Sequence, residues 1–136
     1  MDRSSVTSDH MADYKQLTVW KLAHVLTLGV YRSTQDFPTT ERYGLVAQLR
    51  RAAISVVSNI AEGSGRRGDR EFARFLRMAY GSTCEVECQL LLSRDLGYLG
   101  VEAWEKLDAE CQKLGKMLNG LIRYAAHPHK STRIDN

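Results

Sequence analysis

Proline is scarce in this sequence, and long apolar runs are absent. Only two of the 136 residues are proline, so most of the chain has no residue that would interrupt a helix. No apolar run approaches the ~20 residues that are needed to cross a bilayer, and residues 1–10 lack the apolar core of a secretory signal. We therefore expect a protein without a membrane span that resides in the cytoplasm.

Cysteine is also rare, and its spacing does not indicate a disulfide framework or a zinc site. Cys84, Cys88 and Cys111 are an odd number of thiols. Cys84 and Cys88 would share one face of a helix, as a soft-metal pair requires, but no neighbouring histidine completes a tetrahedral set. Buried, reduced thiols are the favoured interpretation, and the sequence predicts no metal and no cofactor.

Apolar residues recur every three or four positions in four segments, which predicts four helices. A chain of 136 residues with 43% hydrophobic residues can bury one core without disulfides. Short turns between long helices favour an all-α fold, an antiparallel up-down-up-down four-helix bundle. The predicted organisation is a disordered segment at residues 1–13, the bundle at residues 14–126 and a loose tail at residues 127–136.

The ends and one interior position of the helices carry more specific predictions. Thr39 or Thr40 is expected to cap the second helix with its hydroxyl, and Gly63 is expected to end it. Gly81 lies inside the third helix, where it predicts a close helix crossing. In the first helix, Val25 widens the apolar stripe, which predicts a second packing surface against another subunit or the chain's tail.

The positive charge is concentrated in residues 40–80. This window holds eight arginines, no lysine and four acidic residues, a local net charge of +4, whereas the rest of the chain has eleven basic and twelve acidic residues. Helical spacing places several of the arginines on one ridge, which Tyr80 would extend. A solvated helix face is one interpretation and a track for a nucleic-acid backbone is the other. The candidate nucleic-acid-binding residues are Arg66, Arg67, Arg70, Arg74 and Arg77.

Residues 63–68 match the Gly-x-Gly-x-x-Gly pattern of dinucleotide-binding proteins. The match is rejected in that form, because the pattern requires a preceding strand and here a long helix precedes it. Glycines, a helix start and nearby arginines still favour a phosphate site. The alternative is an inter-helix turn with solvated arginines.

A polar stripe on the second helix faces polar residues on the third. It contains a guanidinium, a carboxylate and an amide, so it resembles an active site, but no histidine lies nearby to act as a base. A buried layer that fixes helix register is favoured, and we expect no enzymatic activity. The proposed layer comprises Arg51, Ser55, Asn59, Glu62, Ser82 and Glu85.

Five short motifs lie along the chain at the helix ends and in the second helix: Phe37-Pro38, Tyr43-Gly44-Leu45, Gln48-Leu49-Arg50-Arg51-Ala52, Asn59-Ile60-Ala61-Glu62-Gly63 and Leu96-Gly97-Tyr98-Leu99. They resemble those of the bacterial four-helix-bundle proteins related to ribosomal-RNA intervening-sequence (S23-type) proteins. The resemblance covers about Leu17 to Tyr124 and departs at Gly68, where the family usually has a serine cap.

The resemblance implies a bundle that assembles as a homopentamer. It also implies kinship with the accessory variability proteins of diversity-generating retroelements, which bind nucleic acid and a reverse transcriptase through basic surfaces. The sequence therefore favours a non-enzymatic, oligomeric protein that binds structured RNA or an RNA/DNA hybrid. The alternative is a protein–protein adaptor that docks an acidic partner such as a reverse transcriptase.

Overall fold

Four long helices form the protein in the computed structural model, which describes residues 14–127. The predicted segment at residues 1–13 and nearly all of the predicted tail lie outside these residues. No strand occurs in the described part, and the all-α fold is confirmed. A short 3-10 turn, Thr39–Glu41, lies between the first two helices. The helices are α1 (Thr18–Thr34), α2 (Leu45–Ser64), α3 (Asp69–Asp95) and α4 (Val101–Ala126).

The helices pack as a bundle in which neighbours in sequence are neighbours in space. α2 packs on α3, α3 on α4 and α1 on both α2 and α4. Gly63 near the end of α2 lies against Phe75 near the start of α3, so these two helices run antiparallel. One contiguous core results, because each helix turns one apolar stripe inward. In α4 the buried residues follow steps of four, three and four: Leu107, Cys111, Leu114 and Leu118.

The start of α2 differs from the predicted threonine cap. Thr39 lies in the 3-10 turn, and α2 begins only at Leu45, after Gly44. The carboxylate of Glu41 replaces the hydroxyl: its Oε1 atom accepts a hydrogen bond from the Leu45 amide at 3.2 Å. Its Oε2 atom accepts one from the Tyr98 hydroxyl, also at 3.2 Å, which is the main cause of the raised pKa of Tyr98.

Close helix approach occurs at glycines other than the predicted one. Gly81 is exposed, and a β-carbon built there would meet no atom within 4 Å, so the predicted crossing at Gly81 is wrong. Gly63 does not end α2, which continues through Ser64. Instead Gly63 is buried, and a β-carbon there would lie 2.7 Å from the Phe75 β-carbon. The glycine therefore permits the close contact between α2 and α3.

Part of the apolar surface of α1 is not covered by any helix within residues 14–127. Val25 is 51% exposed and Leu28 is 38% exposed, on the side of α1 that the sequence assigned to a second packing surface. None of the helices in residues 14–127 is both long and apolar enough to cross a membrane.

Candidate nucleic-acid interface

The turn between α2 and α3 places five arginines at one end of the bundle. The fold brings the start of α1 and the end of α4 to this same end. Leu17 shares a cleft with Gly63 and Arg66, and Ala125 of α4 shares another with Arg70. The surface at this end therefore contains residues from all four helices.

The arginine ridge, which we define as Arg66, Arg67, Arg70, Arg74 and Arg77, is exposed at every position. The last three residues lie in α3, and helical geometry places them on one face because they are separated by four and three residues. Arg66 and Arg67 lie in the turn between α2 and α3. The structure therefore brings all five predicted residues to one surface.

The buried ring of Phe75 positions two of these guanidinium groups. Their Cζ atoms lie 5.1 Å (Arg66) and 4.7 Å (Arg74) from the ring centroid, within cation–π distance. Phe75 itself is only 4% exposed. A ring fixed in the core thus orients two arginines while their charged ends remain in solvent.

Ion pairing neutralises only part of the ridge. Arg66 bonds to Glu62 at 2.6 Å and Arg74 to Glu71 at 3.3 Å. Both pairs are about half exposed, so an anionic ligand can replace these carboxylates at a cost of ~0–1 kcal/mol each. Within residues 14–127 no ion pair is formed by Arg67, Arg70 or Arg77.

The start of α3 is a weaker phosphate site than the glycine pattern predicts. Gly68 precedes the helix with φ = 86° and offers no side chain to cap it. The first helical hydrogen bond runs from the Phe72 amide to the Gly68 carbonyl. However, Asp69 and Glu71 occupy the first turn, where their charges already complement the helix dipole. The start of α3 therefore offers less to an anion than the arginine ridge does.

Tyr80 does not extend the ridge as predicted. It is half-buried against the core, and its ring approaches Gly115 of α4. The aromatic side chain that is exposed at this end is Tyr124, with 63% exposure. Arg123 lies beside it in the last turn of α4 and is also exposed. The sequence analysis did not include these two residues, because they lie far from the arginine-rich window. Only the antiparallel topology indicates that the end of α4 lies beside the start of α3.

The predicted polar layer is smaller than the sequence indicated. Ser55 Oγ lies 2.7 Å from Ser82 Oγ, and Asn59 Nδ2 donates to the Ser55 carbonyl at 2.8 Å and to its hydroxyl at 3.1 Å. The other three predicted members lie on the surface, because their helical positions turn them away from the α2–α3 contact. These exposed residues are Arg51, Glu62 and Glu85.

The cysteines occupy two different environments, although all three were expected to be buried. Cys84 and Cys88 are exposed on α3, which corrects that expectation. Cys111 is 2% exposed in the core. Burial, assisted by the nearby carboxylates of Asp108 and Glu87, raises the pKa of the Cys111 thiol to about 12. The Cys111 thiol therefore stays protonated at neutral pH.

Comparison with known proteins agrees with this architecture. The sequence model described as 23S rRNA-intervening sequence protein matches residues 15–120. A crystal structure of a protein of unknown function from the S23 ribosomal protein family of Bacteroides thetaiotaomicron is similar, with a TM-score of 0.70 and 19% sequence identity. The similarity covers 77% of this chain and 98% of that chain, and at this identity it shows the fold alone. None of the curated proteins matches the chain in sequence.

Proposed function

The chain belongs to the 23S rRNA-intervening sequence protein family, and from that membership we propose that it is a non-enzymatic, oligomeric protein that binds structured RNA, or an RNA/DNA hybrid, through its arginine ridge. The observation that carries the proposal is the exposure of five arginines on one surface, of which three form no ion pair with a described residue. Guanidinium groups bind phosphate oxygens bidentately, and contacts of this kind require no particular base sequence.

Assembly would strengthen weak contacts. Exposed apolar side chains on α1 and α2, among them Val25 (51%) and Ile54 (43%), support a contact between copies of the chain. A ring of copies, a pentamer by family resemblance, would repeat the ridge. Binding of one RNA at one ridge would then raise its effective concentration at the neighbouring ridges, so that several weak phosphate contacts give a higher overall affinity.

Charge reversal on the ridge tests the proposal. We expect the variant Arg67→Glu/Arg70→Glu/Arg74→Glu to lose affinity for a labelled structured RNA, measured by fluorescence anisotropy, while its mass in solution is unchanged. The matched control is Arg51→Glu/Lys106→Glu/Lys113→Glu, which reverses three exposed charges away from the ridge. Because both variants change the net charge equally, a loss that is confined to the first identifies the ridge. Undiminished affinity in the ridge variant would contradict the proposal.

A second candidate function is protein docking. The observation that favours it is the same exposed charge: Arg67, Arg70 and Arg77 form no ion pair within residues 14–127, so they can bind carboxylates of a protein partner as well as phosphates. An acidic partner such as a reverse transcriptase would contact the ridge, and its binding would not require RNA. Recovery of one defined partner after nuclease treatment, and its loss in the ridge variant, would favour this function.

A further inference from the structure

A cleft of about 340 Å³ lies at the end of the bundle opposite the arginine ridge. It is formed by the end of α1, the residues that lead into the 3-10 turn and the start of α2. The 20 residues of α2 separate this end from the ridge, and a helix of that length spans ~30 Å. The cleft is therefore a separate site, within the size range of small-molecule pockets.

Arg50, which lines the cleft, is held in a fixed position. Its Nε atom donates to Thr34 Oγ1 at 2.9 Å, and its Nη2 atom donates to the Tyr31 carbonyl at 3.2 Å. Its Cζ atom lies 4.5 Å from the centroid of the Tyr31 ring. Thr34 is 3% exposed and donates its own proton to the Val30 carbonyl at 2.8 Å, so its oxygen is oriented to accept from Arg50. These three contacts orient the guanidinium group before any ligand binds.

The charge of Arg50 is not neutralised by a carboxylate. Within residues 14–127 neither Arg50 nor Arg42, the second arginine of the cleft, forms an ion pair. Glu41, which directly precedes Arg42, has both oxygens engaged: one by the Leu45 amide and one by the Tyr98 hydroxyl. The eight residues that line the cleft include two arginines and no acidic side chain. A half-buried, preorganised cation without a counter-charge has the chemistry of an anion site.

We propose that this cleft binds a phosphate monoester. Arg50 Nη1 has no partner within the described residues and, together with Arg42, can donate to the phosphate oxygens. The hydroxyl of Thr39 adds a third donor group. Phe37, Pro38 and Val46 form an apolar wall against which the organic part of the ligand can pack. Two sources supply this group, namely a free nucleotide and the terminal phosphate of an RNA strand. The site does not depend on the arginine ridge.

Titration calorimetry of the full chain with adenosine monophosphate and with inorganic phosphate tests the site. Binding should weaken by about tenfold or more when Arg42→Ala removes one charged donor. Arg50→Lys keeps the charge but loses the planar fork, and should weaken binding similarly. The control is Arg51→Ala, an exposed neighbour outside the cleft, which should bind as the unaltered chain does. Arg42 is exposed, and its side chain forms no hydrogen bond or ion pair within residues 14–127. Its variant should therefore fold and keep the test valid even if Arg50→Lys unfolds.

A pair of oligoribonucleotides, one with a 5′-phosphate and one with a 5′-hydroxyl, distinguishes the two sources. An advantage of the phosphorylated strand that Arg42→Ala removes assigns the site to RNA ends, whereas binding of the nucleotide alone assigns it to a small molecule. Both results support the site. The ridge variant should retain nucleotide binding, or the advantage of the phosphorylated strand, even if its overall affinity for RNA is lower. This result separates the cleft from the proposed function of the ridge. Absence of nucleotide and phosphate binding together with equal affinity for the two strands would overturn it.

Discussion

The hydroxyl oxygens of Ser55 and Ser82 lie 2.7 Å apart where α2 and α3 cross at mid-length. Asn59 completes the group by donating to Ser55. A hydrogen bond at this depth fixes the register of the two helices, because a shift of either helix would leave a polar group unpaired in the contact.

Removal of either serine hydroxyl should lower the free energy of unfolding. We expect Ser55→Ala and Ser82→Ala each to cost ~1 kcal/mol, since each removes the hydrogen bond between the two hydroxyls. The double variant should cost clearly less than the sum of the two, because that hydrogen bond can be lost only once. Urea unfolding of all four proteins measures this, and fully additive costs would show that the two hydroxyls do not interact.

Two glycine-to-alanine changes should have opposite effects on stability. Gly81→Ala should raise the free energy of unfolding by ~0.5–1 kcal/mol, because alanine favours the helix and the added methyl group meets no atom within 4 Å. Gly63→Ala should lower it by ~1–3 kcal/mol, because the methyl group would lie 2.7 Å from the Phe75 β-carbon. Thermal unfolding of the two variants decides the matter, and equal shifts of Tm would contradict the described packing.

The start of α2 offers a direct comparison between the sequence-based cap and the observed one. Glu41→Ala should lower the free energy of unfolding by ~1 kcal/mol or more, since the carboxylate accepts from the Leu45 amide and the Tyr98 hydroxyl. Thr40→Ala should change it little, because Thr40 is exposed and caps no helix. Denaturant unfolding measures both variants. A larger loss of free energy of unfolding for Thr40→Ala than for Glu41→Ala would contradict the Glu41 cap and favour the threonine cap.

The buried thiol of Cys111 should make stability depend on pH in the alkaline range. Its pKa is about 12 in the folded protein against 9.0 for an unperturbed thiol, so above pH 9 the unfolded chain loses this proton first. The contribution of this thiol to the free energy of unfolding is complete below pH 9. It falls as pH rises toward 12, by up to ~1.4 kcal/mol per pH unit. The free energy of unfolding of the unaltered chain and of Cys111→Ala, measured at several pH values, tests this prediction. Parallel dependence on pH in the two proteins would contradict the raised pKa of Cys111.

The helices and the ridge were predictable because they depend on local periodicity. The spacing of Leu107, Cys111 and Leu114 places one face of α4 inside, and the same rule places Arg70, Arg74 and Arg77 together on α3. The same spacing rule, applied to two antiparallel helices, places Ser55 and Ser82 in one polar layer, although not as a specific pair. These features need no knowledge of which side chain lies across a contact.

The features that were missed depend on tertiary partners. The second oxygen of Glu41 accepts from Tyr98, 57 residues away in sequence, and Gly63 is required because Phe75 lies against it. Tyr80 was assigned to the ridge, although its angular position on α3 turns it toward α4. Likewise, the role of Arg50 rests on the carbonyl of Tyr31 near the end of α1, which accepts from both Arg50 and Thr34 and which sequence spacing does not reveal.

The central claim is that RNA binds to the arginine ridge through phosphate contacts. It is tested most directly by titrating salt into the complex of the protein with a labelled structured RNA. We expect affinity to fall steeply with salt, and the slope of log Kd against log salt concentration to be smaller by about one unit for each ridge arginine that is replaced. A protein that binds no RNA at low salt, or a slope that is equal in the ridge variant, would contradict the account.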